Sequence, residues 1–370
     1  MFHNKTLAIG ALALSLCAGA SQAGETLTMA YPWAPTHPTV TGGWTPMIEK
    51  IEAETDLKMQ PIYGGGLLGA REMVSGVSSG VADMGMLLPP YFPAEFPHGA
   101  LLGDLAMFSR GAYVTGAAVT ELGFISDAWQ QEYVKNGLVW LGSYGTTGYS
   151  LLTKKPITSV ADLKGLRIRA PGGSFDRWVR SVGGVPVNMP GGETYEALSR
   201  SIIDVGMLPT GDLESYSLFD VVSNVNEVNV GAFFSWSLYA FNKGSWAGLT
   251  EDQRKLFIET SIDTAIDIGH DAVLLDEASR EKAQAQGIQI DANQDIIANL
   301  DAFRDKDIGV VVSSAEEKGI ADAGEFVNTF IALLDKYEKL FAGHEEDPEA
   351  MKEILRAEIL PKIDMATYGL

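Results

Sequence analysis

The chain has 370 residues, 46% hydrophobic and 9% aromatic, with a formal charge of −21 and a single cysteine. So acidic a balance excludes nucleic acid and anionic lipid surfaces as expected partners, and the apolar and aromatic content excludes disorder. The length exceeds what one hydrophobic core sustains, so two domains are expected.

At the amino terminus Lys5 precedes the apolar run "LAIGALALSLCAGA" and the small-residue stretch "SQA" (21–23). That order is a secretory signal. Residues 1–23 are therefore set apart from the fold, and the mature chain is expected in the periplasm as a soluble protein. Cys17 lies within the apolar run behind Leu14 and Leu16, where a lipid anchor would want small residues. The mature chain then has no cysteine and relies on core packing. No later apolar run approaches the roughly 20 residues that span a bilayer.

Short apolar runs then alternate with amphipathic stretches: "TLTMAY" (26–31), a helix near 41–54, "KMQPIY" (58–63), a helix near 69–79 and "ADMGML" (82–87). The rhythm predicts parallel strands joined by helical crossovers. It recurs with "LVWLGSY" (138–144), "GLRIRA" (165–170), a helix near 174–182, "VPVNM" (185–189), a helix near 192–201 and "IIDVGML" (202–208). Within "DLKGLRIRAPGG" (162–173), strand alternation puts Arg167 and Arg169 on one face where the strand ends, the usual place for a ligand in an open α/β sheet. The alternative is a solvated basic edge. After "SWSLYAFN" (235–242), Thr250 and Gln253 form a capping-box pair opening a helix that can run to Gln286. At 1.5 Å per residue it would be roughly 55 Å long, enough to bridge two domains. The acidic "HEEDPEAMKE" (344–353) reads as a solvated loop and helix start, not a metal site.

Three motifs suggest catalysis and fail on context. Gly64, Gly66 and Gly69 fit G-x-G-x-x-G, but no acidic residue closes the next strand at the required distance, because Asp83 opens its strand. Gly76, Ser78 and Gly80 fit G-x-S-x-G, but a helix precedes and a strand follows, the reverse of a nucleophile elbow. His37, His98, His270 and His344 are scattered with no metal-ligand spacing. No cofactor, metal or enzymatic activity is expected.

Three segments carry a family resemblance: "GGGLLGAREMVSGVSSGVADMGM", "KKPITSVADLKGLRIRAPGG" and "ETYEALSRSIIDVGM". Together they resemble the periplasmic solute-binding proteins of tripartite ATP-independent periplasmic (TRAP) transporters, the dicarboxylate-binding-protein (DctP) family, across nearly the whole mature chain. The resemblance implies an α/β fold of two lobes that close like a clam on a small ligand, with crossing strands as hinge and a long helix bridging both. It divides the chain into lobe I (24–146 plus 235–274) and lobe II with the C-terminal helices (147–234 plus 275–370). It further implies delivery of a small organic acid to a small and a large membrane subunit; the protein itself is expected to be a monomer.

Within this family the Arg that ends the "LRIR" strand clamps the ligand carboxylate, a role the resemblance gives to Arg169, leaving Arg167 to the surface. Many acid-binding members carry a second Arg before "KKPI"; here "GSYGTTGYSLLT" (142–153) has none and offers Tyr144, Thr147 and Tyr149. Leu208 stands where relatives place a ligand-binding Asn. Trp33, Tyr91, Phe92, Trp178, Phe234 and Trp236 fall at or near cleft-lining segments, and Glu193 at a position often acidic, suited to the hinge or a ligand hydroxyl. With one Arg clamp, a monocarboxylate with an apolar, aromatic or betaine-like remainder is expected over a C4-dicarboxylate. A binding protein of an ATP-driven importer and a secreted hydrolase are the competing readings.

Overall fold

A computed structural model describes residues 25–37, 39–234 and 237–370. The expected signal segment 1–23 and Trp236 lie outside the described residues. Two mixed sheets organise the chain. The first holds β1 (Thr26–Ala30), β2 (Lys58–Ile62), β3 (Met84–Leu87), β4 (Leu138–Leu141) and β10 (Ser237–Asn242), in the order β2-β1-β3-β10-β4. The second holds β5 (Ser150–Thr153), β6 (Arg167–Arg169), β7 (Val185–Val187), β8 (Val205–Leu208), β9 (Asn224–Asn226) and β11 (Gln289–Asp291), in the order β11-β9-β5-β8-β6-β7. β1 with β2 and β3, and β6 with β7 and β8, are parallel as the alternating pattern predicts. The expectation of purely parallel sheets fails at β10 and β5, which pair antiparallel with both their neighbours. Both strands enter from the other lobe, so no local helical crossover sets their direction.

Alternation explains the packing of the second sheet. Leu151 and Met207 enter one apolar cluster with Ile168 and Phe175, whereas the adjacent Leu152 and Leu208 enter another with Val225 and Ala283. Successive strand residues face opposite sides, so this sheet is covered on both.

Helix Glu251–Ala285 has the expected capping box, with Gln253 N donating to Thr250 Oγ1 at 3.2 Å and Thr250 N donating to Gln253 Oε1 at 2.9 Å. Its first half buries Phe257, Ile258, Ile262 and Ile266 in the core of the first lobe, and Ala283 near its end enters the second. The C-terminal helices depart from the expected grouping. Helices Ala323–Leu340 and Pro348–Ile359 place Phe326, Phe330, Leu334, Met351 and Leu355 in the core of the first lobe, and Tyr368 donates to Trp140 O of β4 at 2.7 Å. Their apolar stripes cover helix Ala112–Ile125, an element no reading of the C-terminal segment alone could pair them with.

The two segments that cross between the sheets are bonded to each other. Tyr149 N donates to Gly231 O and Val230 N to Tyr149 O, both at 2.8 Å, and Ser143 Oγ donates to Phe234 O at 3.0 Å. Gly231 has φ +123°, and a Cβ there would stand 2.4 Å from Met107 Cα and 2.5 Å from Ala106 O. Both are backbone atoms and cannot swing away. Gly231→Ala is therefore expected to cost roughly 1–3 kcal/mol from conformation alone, with steric overlap in addition. Chemical denaturation reads this as a lowered midpoint, and an unchanged midpoint would refute the crowding at the crossing.

Candidate ligand-binding site

β6 ends at Arg169, a residue only 5% exposed. Its Nε donates to Met189 O at 3.2 Å and its Nη1 to Met207 O at 2.6 Å. Two backbone carbonyls thus fix the guanidinium plane, while Nη2 donates to nothing among the described residues. A fixed guanidinium with N–H groups left over can donate two parallel bonds to one carboxylate. Arg167 has a different setting. Its Nε and Nη2 form a fork on Asp204 at 2.9 and 2.8 Å, and its backbone N–H also donates to Asp204, so this half-exposed arginine is consumed by a structural ion pair.

An aromatic row leads from the first lobe to Arg169. Trp33 stacks on His37 at 4.7 Å and meets Tyr31 edge-on at 5.6 Å. Burial, and then the neighbouring Tyr144, hold the Tyr31 hydroxyl well above the usual phenol range. Tyr144 is raised in turn by burial and by Tyr149. Burial also raises Tyr149, against the pull of Arg169. Tyr149 stacks on Phe175 at 5.6 Å. His37 accepts from the Thr39 backbone N–H at Nδ1 (3.3 Å), and burial pushes its pKa down to about 4, so it stays neutral with its proton on Nε2. Thr39 Oγ1 is hydrogen-bonded to the Tyr31 hydroxyl.

Of the residues expected at the site, the structure brings together Arg169, Tyr144, Tyr149 and, through Tyr31, Trp33. Others are placed elsewhere. Leu208 packs with Leu152, Leu213 and Val225 on the opposite side of the sheet from Met207. Phe234 is core: it stacks on Phe330 of a C-terminal helix at 5.1 Å. Tyr91 is 50% exposed beneath the Arg71 guanidinium, 5.4 Å above its ring. Glu193 is exposed in the turn 191–193. Trp178 is buried, with Nε1 donating to Asn299 at 3.0 Å. Phe92 is half-buried against the first core.

Sequence reasoning missed two acidic residues: Asp212, which lies in the field of Arg169, and Asp276. Asp212 opens the short helix Asp212–Ser215 four residues beyond Leu208. Burial, and then Asp276, push its carboxyl up to about 7, opposed by Arg169. Asp276, from the long helix, accepts from Gly211 N–H at 2.6 Å and is raised by burial to about 6. A carboxylate just past the end of a strand was a readable signal for Asp212. Its neighbour Asp276 is far along the chain and left none. Among the described residues, no group of His, Cys, Asp and Glu could hold a metal ion, and no helix is long and apolar enough to cross a membrane.

Residues 29–307 match the family described as bacterial extracellular solute-binding protein, family 7. The chain belongs to this family. This solute-binding protein is 27% identical over 203 residues to the ectoine-binding periplasmic protein TeaA of Halomonas elongata, a match covering 54% of this chain and 57% of TeaA, little more than half its length. It is 25% identical over 333 residues to the outer membrane transporter protein TsaT of Comamonas testosteroni, covering 86% of this chain and 95% of TsaT. Its fold is that of a TRAP periplasmic solute-binding protein from Desulfovibrio salexigens (TM-score 0.75, 23% identity, 85% and 97% coverage). It is also that of a marine metagenome TRAP protein specific for aromatic acids, solved with metahydroxyphenylacetate (TM-score 0.71, 22% identity, 85% and 99% coverage). The family consists of binding proteins, not enzymes.

Proposed function

We propose that this solute-binding protein captures a small organic acid with a single carboxylate between its two lobes, clamps that carboxylate on Arg169, and delivers it in the periplasm to the small and large membrane subunits of a TRAP transporter. One observation carries the reading. Arg169 is a buried, pre-oriented guanidinium with donors to spare, at the end of an aromatic row. Residues 142–153 hold no Arg, so a second ligand carboxylate would find no matching cation on that segment. The aromatic faces suit a ring or a betaine-type cation. Two of the relatives above bind ectoine and metahydroxyphenylacetate, and each of those ligands places one carboxylate on or beside a ring. The lobes are proposed to be residues 24–146 with 235–274 and residues 147–234 with the segment after 275, the C-terminal helices returning to the first.

A thermal-shift panel tests the ligand class. Aromatic monocarboxylates and betaine-type zwitterions are expected to raise the melting temperature. A response confined to succinate, malate and fumarate would establish the C4-dicarboxylate reading in its place. For the transporter, a gene neighbourhood with an ATPase beside the membrane subunits would favour an ATP-driven importer.

A further inference from the structure

We infer that Tyr216 is a positioning residue for the clamp: its ring props the turn at 190–193 and thereby holds the Met189 carbonyl on Arg169 Nε. The inference rests on the Arg169 clamp and adds what keeps that guanidinium in its binding orientation.

The two carbonyls that hold Arg169 come from different segments. Met207 O belongs to β8, and Met189 O lies just past β7, two residues ahead of Gly191. The chain after β7 is tied to the end of β6 by Ala170 N donating to Val187 O at 3.0 Å, and it then closes into a turn with Glu193 N donating to Pro190 O at 3.2 Å. Tyr216 lies against that turn. A Cβ on Gly191 would stand 3.0 Å from both Cε2 and the hydroxyl oxygen of the ring, and one on Gly192 would stand 3.9 Å from Cε1. The hydroxyl end of the ring therefore abuts both glycines, and only a residue without a Cβ lets the backbone at 191 come so close.

Tyr216 is itself fixed from the other side. It follows the short helix Asp212–Ser215, with its N–H donating to Asp212 O at 3.0 Å. That helix is anchored to the long helix by Gly211 N donating to Asp276 Oδ1 at 2.6 Å and by the ion pair of Lys282 with Glu214. Ser217, next in the chain, has φ +55°. This left-handed conformation is unfavourable for a residue with a Cβ and persists where the surroundings over-determine it. Met189 and Tyr216 also pack against one apolar cluster, that of Leu208 and Leu213. Among the described residues the Tyr216 hydroxyl makes no hydrogen bond, so the support is one of packing. Contacts thus run from the long helix through helix Asp212–Ser215 and the Tyr216 ring to the turn and on to Arg169 Nε. Without the ring, a turn containing two adjacent glycines is free to shift, the Met189 carbonyl leaves Nε, and a ligand must re-order the guanidinium at a cost in affinity.

Nitrogen-15 NMR of the ligand-free protein tests this through the Arg169 Nε–H signal, identified by its loss in Arg169→Lys. In wild type and in Tyr216→Phe this proton is expected to exchange slowly with water, and in Tyr216→Ala about tenfold or more faster. In titration calorimetry with benzoate, mandelate and ectoine, Tyr216→Ala is expected to weaken every probe that binds wild type by about tenfold, the worth of one hydrogen bond to a charged group. Tyr216→Phe keeps the ring and should bind as wild type. Gly191→Ala presses a methyl onto the ring and should also speed the exchange, whereas Gly192→Ala, which has room for a Cβ, should not. The effect of Gly191→Ala should vanish in the Tyr216→Ala background. Unchanged exchange in Tyr216→Ala, or a loss of affinity in Tyr216→Phe as large as in Tyr216→Ala, would overturn the inference. Where Tyr216→Ala fails to fold, the glycine pair decides alone, and equal exchange in Gly191→Ala and Gly192→Ala would overturn it. Arg169→Ala separates the two readings: if it binds every probe like wild type the carboxylate clamp falls, and the exchange rates, read without ligand, still decide the role of Tyr216.

Discussion

Replacing Arg169 with alanine is expected to weaken ligand binding by roughly 2–5 kcal/mol, about 30-fold to several thousand-fold, because the ligand carboxylate is left desolvated and unpaired. The side chain is fixed by bonds to Met189 O and Met207 O, so the loss concerns a donor already in place. Arg169→Lys should restore only part of the affinity, since an ammonium lacks the planar fork. Arg167→Ala is the internal control. Its guanidinium is committed to Asp204, so that variant should bind as wild type and lose little stability. Calorimetry on the three variants decides the matter: wild-type affinity in Arg169→Ala, or an equal loss in Arg167→Ala, would place the clamp elsewhere.

Glu121→Ala is expected to cost about 3 kcal/mol of folding stability, the lower end for breaking a buried charge pair, because both of its lysine partners reach water. Glu121 is 1% exposed on helix Ala112–Ile125 and accepts from Lys336 Nζ and Lys362 Nζ at 2.5 Å each, and from the Tyr337 hydroxyl. These bonds tie the C-terminal segment to the first lobe. Burial alone would raise the Glu121 carboxyl; the hydrogen bonds from Lys336, Lys362 and Tyr337 outweigh it and hold the carboxyl below its ordinary value. A carboxyl depressed in the folded state contributes stability above its unfolded pKa, near 4.3, and that contribution is lost as pH falls through the folded value. Denaturation midpoints should therefore fall on acidification in wild type, and fall less in Glu121→Gln. Parallel acid profiles for the two would contradict this role.

The parallel strands, the long helix and the arginine at the end of β6 were legible because their signals are local: period-two alternation, a capping box, and a strand running into Pro-Gly-Gly. Strands β5, β9 and β11 were not, since each is three or four residues long and defined by partners that arrive from other parts of the chain. The glycines of the two discarded motifs lie in turns, with positive φ at Gly64, Gly65 and Gly80. Among the expected site residues, Tyr144 and Tyr149 lie on the segment that crosses between the sheets, with Tyr149 in the field of Arg169. Leu208 and Phe234 are both buried in apolar clusters. A one-residue alternation separates Leu208 from Met207, and the ring that covers Phe234 belongs to Phe330, far along the chain.

A crystal structure of the protein with its ligand bound tests the central claim most directly. The expected result is one ligand carboxylate within hydrogen-bonding distance of Arg169 Nη1 or Nη2, with the ligand body against Tyr144 and Tyr149 between the lobes. A ligand seated away from Arg169, with that guanidinium still bonded only to the Met189 and Met207 carbonyls, would contradict it.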